Sequence, residues 1–540
     1  MSGDLTRRDF LKLAAALGIA TADLLVPCSA GCGFDAIQAK ETSMGFGTYR
    51  RAYVIPTLKE AHFAGKTAWE PDSIIVDGTW GILDQSGLSG LDARYASALS
   101  LSRCEREKNL TLLRDSDLAR EEYRLETVAD GIRVTASSKQ GFLHGMSTLQ
   151  QLRNGPVLPV GTIRDYPRLS LRGFHLMLES VHQIRAEDAL ALITSASRLK
   201  LNTVLIEFGD RFPFQKHAVI RSPSALTRQE LAHVLEHAQS LGVVPIPLVQ
   251  SLGHLRYLLE HEEYAHVREE DQYRDQMCPS NEDSFRIFTE LAEEVLEFFP
   301  NTRFMHIGAD ETRHLGVCPR CREYAARNGT GALYLKHINR VCAWLSERGI
   351  TPILWDDILC ADPRILESLH ESAWIMYWDY WTTQSPSPLL VARYNPTGGK
   401  GVIVFDGRWL DEWAGELPEV TSKTLATFAE PVNLEERLGP EFMRVYGAYL
   451  GNQLPRFVPA FPYLEWYRAA GRHVIGAPAG ASNTSEWLDL PDFPRYAHNI
   501  KTFAERCVEA GADGIVATAW YNFPPEAFYF SLLATAQYTW

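Results

Sequence analysis

The stretch Phe304-Met305-His306-Ile307-Gly308-Ala309-Asp310-Glu311 sets two carboxylates side by side directly after a short apolar run. Neighbouring carboxylates cannot both ionise freely, so one of the pair is expected to hold a proton near neutral pH, as a general acid must. Side chains alternate across a strand, so Asp310 and Glu311 can act together only if the strand stops near Ala309. Gly308 and Ala309 carry almost no side chain, which lets the chain turn and lets a ligand approach the backbone. An isolated Asp-Glu pair is ordinarily a solvated surface feature. Its meaning therefore depends on the elements that carry it.

Those elements alternate between short apolar runs and amphipathic helices. The runs are Gly173 to Leu178, Thr203 to Phe208, Val243 to Val249, Phe304 to Ala309, Pro352 to Trp355, Ala373 to Trp378, His473 to Ala479 and Gly514 to Trp520. Helical patterns such as Ala186 to Leu199, Arg228 to Leu241, Ser284 to Phe299 and Leu333 to Arg348 separate them. Eight strands joined by crossover helices predict an α/β fold, a (β/α)8 barrel over residues 166–540. The stretch 382–470 is too long for one such connection and is expected to form an insertion of loops and short helices over the barrel mouth. Residues 45–165 read as a small α/β domain, in which Glu122 to Thr127 and Ile132 to Ala136 alternate like paired strands around the Asp130-Gly131 turn.

In a (β/α)8 barrel the chemistry gathers at the strand C-termini. Here those positions carry Glu207 and Asp210, His254, Asp310 and Glu311, Trp355 to Asp357, Trp378 to Tyr380, and Trp520. A lone histidine or tryptophan is usually structural. Their recurrence at one strand end after another points to a single mouth lined by polar and aromatic groups.

Composition narrows the partners. The 540-residue chain has a net charge of -14, which argues against nucleic acid or an anionic membrane surface. Its 13 Trp and 21 Tyr suit carbohydrate platforms without proving them. Leu5-Thr6-Arg7-Arg8-Asp9-Phe10-Leu11-Lys12 and the apolar stretch after it have the form of a twin-arginine export signal over residues 1–32. That stretch, broken by Asp23, falls short of the ~20 apolar residues a membrane span requires. A periplasmic or extracellular protein is expected, with lipid attachment at Cys28 or Cys32 left open. Nine cysteines are too few for a disulfide framework in a chain this long. Cys318-Pro319-Arg320-Cys321 is the only close pair, and without a second matching pair it reads as buried or disulfide-linked rather than as a metal centre.

The run His306-Ile307-Gly308-Ala309-Asp310-Glu311 resembles the His-x-Gly-Gly-Asp-Glu hallmark of family 20 glycoside hydrolases, the exo-β-N-acetylhexosaminidases. The likeness extends to Gly141-Phe142-Leu143-His144-Gly145, Asp165-Tyr166-Pro167-Arg168 and Arg172-Gly173. Leu205 to Pro213 and Leu248 to His254 are similar to the hexosaminidase D branch. The resemblance implies a carbohydrate substrate, no metal or other cofactor, and a retaining reaction in which the substrate's own 2-acetamido oxygen is the nucleophile. It makes Glu311 the acid and base, Asp310 the group that steadies the acetamide, and Arg172 a ligand of sugar hydroxyls. Trp355, Trp378 and Trp520 would wall the acetamide pocket, with Tyr380, or failing it Tyr377, donating to the acetamide oxygen. Three positions depart from the pattern: Glu207 replaces a histidine, Met177-Leu178-Glu179 lacks an aspartate, and Asn522 replaces a glutamate. The last of these, at the position that in the family holds the sugar's outer hydroxyls, leaves the gluco or galacto preference open. Two alternatives also stand, a glycan-binding protein on the same scaffold and a hydrolase of another 2-acetamido linkage.

Overall fold

The computed structural model describes residues 54–68, 73–76, 109–128, 131–152, 157–180, 184–361, 363–380, 382–383, 390–394, 402–406, 453–454, 463–481, 491–520 and 524–540. The export-signal segment, Asp130 and Asn522 lie outside them, as does most of the 382–470 insertion. The chain divides into two compact units, one ending at Tyr166 and the other beginning at Pro167.

The first unit is a six-stranded mixed sheet with spatial order Glu60–Ala68, Val157–Asp165, Tyr123–Val128, Gly131–Ala136, Asn109–Arg114 and Ser73–Val76. Period-2 alternation buries Tyr123, Leu125 and Thr127 on one strand and Ile132, Val134 and Ala136 on its antiparallel neighbour. The helix Lys139–Leu152 covers that face. It lies so close that a Cβ on Gly145 would meet the Val134 side chain at 2.6 Å. The Tyr123 hydroxyl donates to Asp165 at 2.7 Å, which satisfies a buried polar group.

The second unit is a closed parallel barrel of eight strands: β1 Leu171–Met177, β2 Thr203–Glu207, β3 Val244–Leu248, β4 Phe304–His306, β5 Thr351–Trp355, β6 Trp374–Trp378, β7 Val474–Ala477 and β8 Gly514–Ala519. Closure comes from β8, which pairs in parallel with both β7 and β1. These strands are nearly continuous apolar runs because both faces are covered, one by the barrel interior and the other by helices. Leu205, Ile246, Leu248, Ile353, Trp355, Met376, Ile475 and Val516 form the interior. The main helices are α1 Ala186–Arg198, α2 Arg228–Ser240, α3 Glu282–Leu296, α4 Pro319–Asn328, α5 Thr330–Ser346, α6 Tyr463–Ala469, α7 Phe493–Ala510 and α8 Pro525–Thr539. Their starts are written locally: Thr227 and Glu230 cap α2 reciprocally, and the Asn281 side chain accepts from the Asp283 amide to start α3. Among the described residues no helix is long and apolar enough to cross a membrane.

All eight expected strands are present, although β4 ends at His306 rather than at Ala309. Within 382–470 the described residues include the short helix α6, in line with the expectation of loops and short helices, and also strands that it did not include. Leu390–Tyr394, Val402–Asp406 and Gln453–Leu454 form a three-stranded antiparallel sheet. The β-branched run Val402-Ile403-Val404 was the overlooked signal.

Arg172 is also corrected. It stands near the start of β1, at the end of the barrel opposite the strand C-termini, and is completely buried. Its guanidinium donates to the carbonyls of Lys200 at 2.9 and 3.1 Å and of Leu169 at 2.8 Å, and lies 5.1 Å from the Trp540 ring centroid. These bonds satisfy loop carbonyls that water does not reach, so its role is to close the barrel floor. Arg172→Met should therefore lower stability by on the order of 3 kcal/mol, since buried carbonyls lose charged donors. Urea unfolding measures this, and an unchanged midpoint would contradict the assignment.

Candidate active site

The backbone that follows β4 is unusual. Gly308, Ala309 and Glu311 have φ of 63°, 72° and 46°, in the left-handed region that residues with a Cβ seldom enter. A Cβ at Gly308 would sit 1.7 Å from Gln250 Oε1, so any other residue would have to push the Gln250 side chain away from its bond to Glu207. The neighbours hold the turn. The Trp355 amide donates to the Gly308 carbonyl at 3.1 Å, the Tyr334 hydroxyl to the Ala309 carbonyl at 3.1 Å, and the Glu311 amide to Asp357 Oδ2 at 2.9 Å. The turn also explains why β4 stops early, and it brings both carboxylates to the mouth. His306 lies beneath them, buried against Trp355 at 4.4 Å, and its Nδ1 accepts from the Gly308 amide. Burial, helped by His175, holds its pKa well below the usual value, so it is neutral.

Asp310 and Glu311 face one cation in common. His254 Nε2 lies 3.2 Å from Asp310 Oδ2 and 3.7 Å from Glu311 Oε2. The loop bearing His254 presses so close that a Cβ at Gly253 would meet the Asp310 carbonyl oxygen at 2.4 Å. The Asp310 carboxylate, opposed by burial and seconded by Glu311 and Glu207, pushes the His254 pKa up to about 10. It is therefore an imidazolium that donates to Asp310. Asp310 Oδ1 is buried and has no hydrogen-bond partner among the described residues. Arg313 Nη2 pairs with Glu311 Oε2 at 2.6 Å. Asp310 is thus anchored through one oxygen, while the other is buried without a partner among the described residues.

A second carboxylate group lies alongside. Glu207, at the end of β2, is buried and accepts from Gln250 Nε2 at 2.9 Å. Asp210 accepts from the Ser180 amide at 2.9 Å and from its hydroxyl, which fixes the chain leaving β1. Burial, then the charges of Glu207 and Asp210, push Glu179 up to about 8. At the end of β5, Asp357 is pushed well above the carboxylate range by burial and by Asp310, and burial takes Asp356 up to about 7.

The aromatic wall is layered. Trp355 is fully buried and serves as a floor, with Trp520 edge-on to it at 5.5 Å. Trp378 and Tyr380 stack at 5.1 Å above β6 and are partly exposed. Trp520 Nε1 donates to the Tyr380 hydroxyl at 2.7 Å. The same hydroxyl is also hydrogen-bonded to the Thr518 side chain, so two partners fix its position. Tyr377 is buried against Phe503 at 5.4 Å, which rules it out as the alternative donor.

Of the residues that the sequence singled out, Asp310, Glu311, His254, Trp378, Tyr380 and Trp520 therefore converge at one mouth. Glu207 and Trp355 lie in the buried layer beneath it, Asp210 braces a neighbouring loop, and Arg172 is at the opposite end. Sequence reasoning placed Asp357 at a strand end without giving it a role, and it missed the parts played by Glu179, Arg313, Gln250 and Tyr334. Glu179 and Asp357 each fall just past a strand end, a signal that was present, whereas Tyr334 on α5 carried none.

Residues 182–395 match the model of the glycosyl hydrolase family 20 catalytic domain, and residues 52–166 match domain 2 of the same family. Hexosaminidase D of Bos taurus is 31% identical over 210 residues, covering 37% of this chain and 61% of that protein. A β-hexosaminidase of Akkermansia muciniphila is 25% identical over 295 residues, covering 47% of this chain and 59% of the relative. The chain thus spans about three fifths of the length of these two relatives. In fold it is similar to the crystal structure of β-N-acetylhexosaminidase from Bacteroides fragilis, with a TM-score of 0.62, 16% identity and 90% of each chain covered.

The charge arrangement has a measurable signature. Glu179 has a folded-state pKa raised from 4.5 to about 8, so the folded protein holds a proton that the unfolded chain releases across that range. Its contribution to stability is complete below pH 4.5 and is lost as pH rises to about 8. Glu179→Gln, which fixes the neutral form, should flatten this decline in thermal melts between those limits. An unaltered slope would show that Glu179 is not protonated in the fold.

Proposed function

Because the chain belongs to glycosyl hydrolase family 20, we propose that it is an exo-β-N-acetylhexosaminidase that removes terminal β-linked GlcNAc or GalNAc with retention of configuration. The observation that carries this reading is the state of Asp310: Oδ2 is held by an imidazolium, while the buried Oδ1 has no partner among the described residues and stands beside Glu311.

That geometry suits a nucleophile belonging to the substrate. Glu311 gives its proton to the leaving glycosidic oxygen as the acetamide carbonyl oxygen attacks the anomeric carbon. Asp310 Oδ1 accepts the acetamide N–H and stabilises the positive charge that develops on the oxazolinium ring, while Tyr380 donates to the carbonyl oxygen and aims it. Glu311 then takes a proton from water, which opens the ring from the face that the leaving group vacated. Two inversions leave the configuration unchanged. A carboxylate nucleophile would instead have to lie across the sugar from the acid, about 5 Å away. Adjacent residues in a tight turn suit the substrate-assisted route better.

Hydrolysis of 4-nitrophenyl β-GlcNAc and β-GalNAc tests the assignment. Glu311→Gln should lower kcat by about 10²- to 10⁴-fold, the usual contribution of a positioned acid. Asp310→Asn should also lower kcat, because it weakens the acceptor for the acetamide N–H. Absence of turnover by the wild type across the pH range, or undiminished turnover by Glu311→Gln, would sink the proposal. NMR of the first-formed sugar decides the stereochemistry, and an initial α-anomer would exclude retention. The Arg7-Arg8 segment is proposed as an export signal; lysine at both positions should keep the protein in the cytoplasm on fractionation, and unimpaired export would refute it.

A further inference from the structure

We propose that Glu269, Cys278, Cys318 and Cys321 form a tetrahedral zinc site that clamps the loop following the Asp310-Glu311 pair. The four residues are all buried, and one ligand atom from each lies within 4.8 Å of the others. Cys278 Sγ is 3.6 Å from Cys318 Sγ and 3.4 Å from Cys321 Sγ. A disulfide requires about 2.05 Å. Sulfurs bound to one zinc at ~2.3 Å in tetrahedral geometry lie ~3.8 Å apart, close to the spacing seen. Moreover, three sulfurs converge, and a disulfide uses only two.

Glu269 supplies the independent observation. It is only 1% exposed. Its Oε1 accepts from the amides of Val317 at 2.8 Å and Cys318 at 3.1 Å. Its Oε2 is buried without a hydrogen-bond partner among the described residues. A carboxylate held by one oxygen, with the other unsatisfied in an apolar surround, is costly unless a cation completes it. Leu333, Tyr324 and Ala325 pack around the cysteines and keep water out. Three thiolates and one carboxylate fill a tetrahedron, leaving no position for substrate, so the site is structural. Thiolates favour zinc over magnesium or calcium.

The sequence hid this site because Cys278 lies 40 positions before Cys318 and glutamate is not part of a cysteine pattern. Its place in the fold gives it a purpose. Glu269 and Cys278 sit on a hairpin joined by the Arg268–Met277 bridge. The Met277 amide donates to the Leu252 carbonyl at 2.9 Å and the Leu255 amide to the Asp275 carbonyl at 3.0 Å, flanking His254. Gln276 Oε1 accepts from the His314 amide at 2.9 Å, next to Arg313. The metal thus ties the hairpin to the N-terminus of α4 and steadies the loops carrying both cationic partners of the carboxylate pair.

The test is metal analysis of the full chain purified without metal-affinity steps or chelators. The expected result is about one zinc per chain, retained through desalting. Cys278→Ser and Cys321→Ser should each lose it, while Cys342→Ser, a buried cysteine outside the cluster, should keep it. Should the serine variants fail to fold, wild-type protein stripped with dipicolinate and reloaded with cobalt(II) should show the d–d and thiolate charge-transfer bands of tetrahedral cobalt. Stripping should also lower the Tm, and zinc should restore it. Failure of the wild type to retain zinc after incubation with the metal would overturn the proposal, as would a mass showing two of the three thiols joined as a disulfide. Neither readout depends on glycosidase activity.

Discussion

The left-handed turn that follows β4 is the constraint around which the mouth is built. Two residues with a Cβ, Ala309 and Glu311, occupy a region that costs roughly 1–2 kcal/mol each. Such a conformation persists only where its surroundings over-determine it. Here β5, α5 and the chain after β5 each contribute one hydrogen bond to consecutive parts of the turn. The same turn sets Gly308 against Gln250 and Gly253 against the Asp310 carbonyl. Gln250 in turn binds Glu207. Four separate strands are therefore tied to one short backbone reversal, and the two carboxylates inherit that rigidity.

The second organising feature is an excess of negative charge. Glu179, Glu207, Asp210, Asp310, Glu311 and Asp357 gather where His254 is the shared imidazolium and Arg313 pairs with Glu311. Burial resolves part of the conflict by leaving Glu179 and Asp357 protonated at neutral pH. The Asp310 carboxylate, whose charge holds His254 protonated, suits the stabilisation of the positive charge that the proposed reaction develops. A group that steadies such a charge does so because it was anionic and fixed beforehand.

Much of this was legible in the chain itself. Continuous apolar runs marked all eight barrel strands, since a parallel strand covered on both faces has no polar alternation to hide it. The carboxylate pair was visible because strand ends of such barrels are where chemistry gathers. What escaped were relations between distant residues. Arg172 reads as an accessible cation only if its depth is unknown, and its burial among loop carbonyls depends on where the strand begins. Trp355 likewise moved from wall to floor because aromatic residues at a strand end point inward or outward according to register. Glu269 and Cys278 joined Cys318 and Cys321 only through the hairpin that folds them together.

Barrel closure has a kinetic side. The Ser170 hydroxyl bonds to the Asp513 carbonyl, 343 positions away, and β1 pairs with β8 along four residues. Trp540, beneath Arg172, belongs to the same seam. A chain emerging in order must therefore hold seven strands with an unpaired edge until the eighth arrives. Contacts this remote slow folding, and an open parallel edge invites association with another chain. The seam between first and last strands is thus the place where assembly is decided late, and where a helper that shields an edge would have most to do.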